Sequence, residues 1–144
     1  MLKSLAMRGR MLVGSAIAMT AALALVAAHP PAALSQASGG LWEIEGSPEL
    51  KTPVRECIAD LATLAQFEHR GRTCSRSVID DAPGSTTIRY SCDPADFGRT
   101  KIDVLTPRSL RISTQGISGN LPFNYVVQAR RVGDCVKNPS SPRH

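Results

Sequence analysis

Thr86-Thr87-Ile88-Arg89-Tyr90-Ser91-Cys92 decides the fold class of this chain. Thr86, Ile88, Tyr90 and Cys92 fall on one side of an extended backbone, and Thr87, Arg89 and Ser91 on the other. That period of two belongs to a half-buried strand. It recurs downstream at Thr100/Ile102/Val104, at Leu110/Ile112/Thr114 and at Phe123/Tyr125/Val127/Ala129. Between these runs lie turn-formers: Asp81-Ala82-Pro83-Gly84-Ser85, Asp93-Pro94, Thr106-Pro107-Arg108 and residues 116–122. One-sided alternation with short links predicts an antiparallel meander that is solvated on one face.

Upstream, residues 41–45 alternate with Trp42 and Ile44 on one face, and a short strand is expected at 54–57, just after Pro53. Residues 58–70 change period. Ile58, Leu61, Leu64, Ala65 and Glu68 fall at helical spacing, and Gly71 stands where a helix cap belongs. The predicted fold is therefore mainly β: a curled, half-barrel-like antiparallel meander with one short helix. Its inner face comprises Trp42, Ile44, Ile88, Tyr90, Ile102, Val104, Leu110 and Ile112. Either that face cups a small apolar ligand, or Leu61, Leu64 and Ala65 of the helix fill it.

The N-terminus is a separate object. Lys3, Arg8 and Arg10 precede an uncharged run, 11–28, rich in Ala, Leu, Val and Met. A polar segment follows and ends in Ser35-Gln36-Ala37, whose small residues suit a signal peptidase. This predicts a cleaved Sec-type signal peptide over 1–37, a domain over 38–135 and a loose tail over 136–144, in a periplasmic or secreted protein. A cut after Ala28 (Val26-Ala27-Ala28) is the alternative. A retained anchor would be the one membrane contact. Gly9 separates the arginines, against a twin-arginine route, and no Cys near the cut supports a lipid anchor. The chain has 17 Lys and Arg against 12 acids. Three of the bases lie in the leader, so the remainder is nearly neutral, with charges of alternating sign and no basic face for nucleic acid.

Cys57, Cys74, Cys92 and Cys135 make an even count without a C-x-x-C pair, which reads as two disulfides and no metal site. Strand register proposes their pairing. Centring one turn on Pro83 sets Val78 against Ile88, Arg76 against Tyr90 and Cys74 against Cys92. Cys57–Cys135 is then the second bridge. The two other pairings, Cys57–Cys74 with Cys92–Cys135 and Cys57–Cys92 with Cys74–Cys135, remain open at this point. Centring the next turn on Pro107 pairs Val104 with Leu110, Ile102 with Ile112 and, outside, Asp103 with Arg111. If Tyr90 faces Ile102, Arg89 lies on the other side of Asp103. Arg89, Asp103 and Arg111 then form an outer-face charge row, either a structural ladder or, with Lys101, a docking patch for an anionic headgroup or glycan phosphate.

No catalytic constellation stands out. His69 and His144 read as solvated surface, no G-x-S-x-G occurs, and Gly-Ser appears only in turns. The carboxylate pairs Glu43/Glu45, Asp80/Asp81 and Asp93/Asp96 read as strand-face and turn residues. No cofactor is expected. The chain is read as a non-enzymatic binding or envelope-associated module, its partner a small apolar ligand or an envelope protein. One alternative is an interaction module that docks by an edge strand or the charged outer face. A small hydrolase, needing His69 or a carboxylate pair in a pocket, is the third.

Four landmarks occur in order: Gly40-Leu41-Trp42-Glu43; Cys57 followed by a helical stretch and Cys74; Tyr90-Ser91-Cys92; and Arg131-Val132-Gly133-Asp134-Cys135. Over about residues 39–135 they resemble the proteobacterial exported proteins grouped as domain-of-unknown-function family 3617. Ile58-Ala59-Asp60 departs from the Leu-Thr-Pro-Glu-like start that members often show. The resemblance implies export and this architecture. It implies no activity, since the family has none established.

Overall fold

Three prolines set the geometry of the sheet. In a computed structural model that describes residues 29–136, the chain reverses through the two-residue turns Pro83-Gly84, Pro94-Ala95 and Pro107-Arg108. A fourth reversal, Gly119-Asn120, has positive φ at both residues (55° and 66°). The strands are β1 (Gly40–Glu45), β2 (Val54–Ile58), β3 (Ser75–Ala82), β4 (Ser85–Asp93), β5 (Asp96–Thr106), β6 (Ser109–Ser118) and β7 (Leu121–Gly133). They form one antiparallel, seven-stranded open sheet in the order β2-β1-β7-β6-β5-β4-β3. The leader run 11–28 and the tail beyond 136 lie outside the described residues.

Proline holds φ near −65° and so cannot adopt the positive φ that matches a hairpin's twist. Each proline turn is accompanied by a one-residue bulge, at Ile79, Cys92 and Leu105 respectively. The Gly119-Asn120 turn has the matching backbone, and the β6–β7 ladder runs without a shift.

The expected pairs Val78–Ile88, Arg76–Tyr90, Ile102–Ile112, Val104–Leu110 and Asp103–Arg111 are all present. The β4–β5 register differs from expectation. Tyr90 faces Gly98, Thr86 faces Ile102, and Arg89 faces Arg99. The tight Pro94 turn forces this pairing, and the Tyr90 ring needs the space. A Cβ on Gly98 would stand 2.7 Å from the Tyr90 ring.

From β2 at one edge, the chain crosses the inner face to β3 at the other through Leu61–His69. This segment is a pair of 3₁₀ turns joined at a kink at Gln66, and not a regular α-helix. It starts at Leu61, where Asp60 accepts the Ala62 N–H (3.0 Å), while Ile58 belongs to β2. With three residues per turn, side chains at i, i+3 and i+6 align, so Leu61, Leu64 and Phe67 form the buried stripe together with Ala65. They pack against Trp42, Ile44, Ile88, Ile102, Leu110 and Ile112, with Val104 partly buried at the margin. The inner face is thus filled by the protein's own crossover and is not an open apolar cup.

Both proposed disulfides are formed, Cys74–Cys92 and Cys57–Cys135, with Cα separations of 4.0 and 5.5 Å. The folded unit begins earlier than Ser38. Pro31, Ala33 and Leu34 are buried, and Leu34 belongs to the core. A boundary at Ala37 would cut through packed structure.

Candidate ligand cleft on the outward face

The Pro94, Pro107 and Gly119-Asn120 turns bring Arg89, Arg99, Gln115 and Asn124 into one row across β4, β5, β6 and β7. All four are exposed, because the neighbouring residues Tyr90, Thr100 and Thr114 are buried in the core and strand alternation turns this row outward. Two residues along lies the row Ser91, Phe97 and Ile117. Phe97 is 43% exposed. These side chains line an open cleft of about 790 Å³, a size typical of small-molecule sites.

Like charges directly opposed on neighbouring strands destabilise a sheet. Among the described residues neither Arg89 nor Arg99 has a carboxylate in ion-pair range. The expected row Arg89/Asp103/Arg111 does not form. Asp103 faces Arg111 across β5–β6 and pairs with Lys101 (2.8 Å), whereas Ser85 occupies the place expected for Arg89. Lys101 thus takes the Asp103 carboxylate, whereas Arg89 and Arg99 face each other directly with no carboxylate in range. Arg99, Phe97 and Ile117 were not singled out by the sequence, because only the β4–β5 register places them beside Arg89.

His69 is a second departure from expectation. Its side chain is 4% exposed, because it closes the crossover against β4 instead of facing water. Nδ1 lies 3.0 Å from the Tyr90 hydroxyl, and Nε2 3.4 Å from Asp96 Oδ1. Burial, and then the negative charge of Glu68, push the Tyr90 phenol well above its ordinary value. The phenol stays protonated beside Nδ1, and Nε2 is buried facing Asp96 without a hydrogen-bond partner. Asp96 also accepts the Gly119 N–H (2.6 Å) and pairs with Arg72, which also holds Asp93. The Gly119 N–H and Arg72 hold its carboxyl down to about 2. Beside it, Tyr125 donates to Glu68 (2.7 Å). So little exposure gives a substrate no route to the imidazole, and the array ties the crossover to two turns.

One member of each remaining carboxylate pair is engaged, Asp81 by the Ala32 N–H (2.8 Å). Glu43 bridges Arg55 and Arg130, which lower its carboxyl below the usual range. Asp93 accepts the Ala95 N–H (2.9 Å), the turn role expected of it. His144 lies outside the described residues.

Two of the four landmarks, Gly40–Glu43 and Arg131–Cys135, meet on one seam, whereas Cys74 and Tyr90-Ser91-Cys92 lie at the β3–β4 side of the sheet. Arg131 lies against Gly40, where a Cβ would come within 2.6 Å of the guanidinium. Arg131 donates to the Gly39 carbonyl (3.0 Å) and pairs with Asp134, beside Cys135. Comparison with protein-family models, curated proteins and solved structures returned no match. Fold and site define a disulfide-braced β-sheet module with an outward cleft. Two disulfides point to an oxidising, non-cytoplasmic setting. Among the described residues no helix is long and apolar enough to cross a membrane.

Proposed function

We propose that this chain is an exported, non-enzymatic binding module of the bacterial periplasm or exterior. Its ligand site is the cleft on β4–β7, and its ligand is a small anionic amphiphile. One observation carries this reading: the opposed, carboxylate-free pair Arg89/Arg99 stands beside exposed Phe97 and half-buried Ile117 in a single cleft. Guanidinium forks match phosphate and carboxylate geometry, and the ring and aliphatic chain offer an apolar floor. A bound anion would relieve the repulsion that the free protein bears.

The β3 edge, with exposed Val78, is the rival docking surface. The Ile79 bulge interrupts that edge, a device by which sheets discourage strand addition, so the cleft is preferred. Titration calorimetry with dodecyl phosphate and with uncharged dodecanol tests the reading. Saturable binding of the phosphate is expected, weakened at least tenfold in Arg89→Ala/Arg99→Ala, since one charge-assisted hydrogen bond contributes about 1.5–3 kcal/mol. Equal affinity for dodecanol, or no loss in the double variant, would refute it.

A further inference from the structure

We infer that processing of the exported chain occurs after Ala28, so that residues 29–37 stay on the mature protein and residues 31–37 form part of its fold. The inference rests on the export reading above and refines it.

A leader that is discarded has no reason to be complementary to the domain it leaves. Residues 31–37 are complementary in several independent ways. Ala33 and Leu34 are 0% and 4% exposed, and Leu34 sits in the same core cluster as Trp42 and Ile44. The Ala32 and Ala33 N–H groups donate to the two oxygens of Asp81 (2.8 and 3.5 Å). The Gln36 amide donates to the Pro83 carbonyl. Within the segment, Ser35 N–H donates to Pro31 O and Ala37 N–H to Leu34 O, both at 3.2 Å, closing a compact turn.

The partners Asp81 and Pro83 belong to the β3–β4 reversal, so the segment clasps a hairpin far away in sequence. Asp81 therefore spends its carboxylate on backbone groups that a cut after Ala37 would delete. Such a cut would also remove the Leu34 side chain from the core. Val26-Ala27-Ala28 satisfies the small-residue requirement at the end of the apolar run, where a peptidase site is expected.

The full chain, expressed in a Sec-competent bacterium and recovered from the periplasm, is weighed intact. A mature protein starting at His29 is expected. A start at Ser38 overturns the inference and leaves export standing, whereas an uncleaved chain starting at Met1 and confined to the cytoplasm overturns both. Ala28→Leu is expected to accumulate precursor while Ala37→Leu processes normally, and the reverse pattern refutes the inference. Behind a foreign leader, the form starting at His29 should melt about 5–10 °C above the form starting at Ser38. Equal melting would show that the clasp contributes nothing.

Discussion

Asp96 holds two elements with one carboxylate, the Gly119 N–H in the β6–β7 turn and Arg72 after the crossover, and it lies 3.4 Å from His69 Nε2. A group whose folded value lies below its unfolded one favours the native state while it is ionised. Its contribution is complete above the ordinary carboxylate value of 3.8 and is lost as pH falls from there to about 2. Asn in its place keeps an oxygen for Gly119 but drops the charge that Arg72 meets. Asp96→Asn should therefore lower the urea midpoint at pH 5, with the gap from wild type closing as pH approaches 2. A gap that stays constant over that range would show that the charge does not matter. His69 illustrates why such a cluster escapes a sequence reading. Its partners Tyr90 and Asp96 lie 21 and 27 positions away, and nothing local distinguishes a buried imidazole from a solvated one.

At the scale of elements, strands were legible because alternation is a local property, and register was legible wherever the turn was weighed ahead of side-chain matching. A two-residue turn plus a one-residue bulge is equivalent, beyond the bulge, to a hairpin centred on the proline. That equivalence is why centring on Pro83 and Pro107 recovers the observed pairs. The same rule at Pro94 yields Tyr90 against Gly98, whereas matching Tyr90 to an apolar partner misplaces Arg89 and hides Arg99. The cleft was thus half legible, through Arg89 alone. The crossover was legible as helical, but its spacing of three at Leu61, Leu64 and Phe67 marks a 3₁₀ segment. Short 3₁₀ pieces have poor intrinsic hydrogen bonds, so this one depends on its anchor to the sheet. Thr100 donates to the Ala65 carbonyl (2.6 Å), and its oxygen is in turn 2.7 Å from Thr114 Oγ1, both buried. Thr100→Val strands a carbonyl and a hydroxyl together, so it should cost about 2–4 kcal/mol by chemical denaturation. Thr114→Val removes only one acceptor's partner and should cost about 1 kcal/mol. A larger loss in Thr114→Val would reverse the assigned donor order.

At the scale of the molecule the sheet is open, its two edge strands linked by the crossover, and the disulfides act on that topology unequally. Cys57–Cys135 spans 78 residues, from the β2 edge to the end of β7, and encloses the crossover and strands β3 to β7. Cys74–Cys92 spans 18 residues and closes a single hairpin at its open end, away from the Pro83 turn. Loop-closure entropy makes the longer link worth about 4.5 kcal/mol and the shorter about 3 kcal/mol. The long bridge also sits beside the Gly40–Arg131–Asp134 seam, so its loss frees the β1–β7 junction that completes the sheet. Cys57→Ser/Cys135→Ser should therefore lower the urea-derived stability more than Cys74→Ser/Cys92→Ser, by about 1–2 kcal/mol, and should fray β1 and β2 first. Hydrogen exchange distinguishes the two effects. Early exchange confined to residues 40–58 in the long-bridge variant is the expected pattern, while uniform acceleration across all seven strands would mean that the bridge acts only through the unfolded chain.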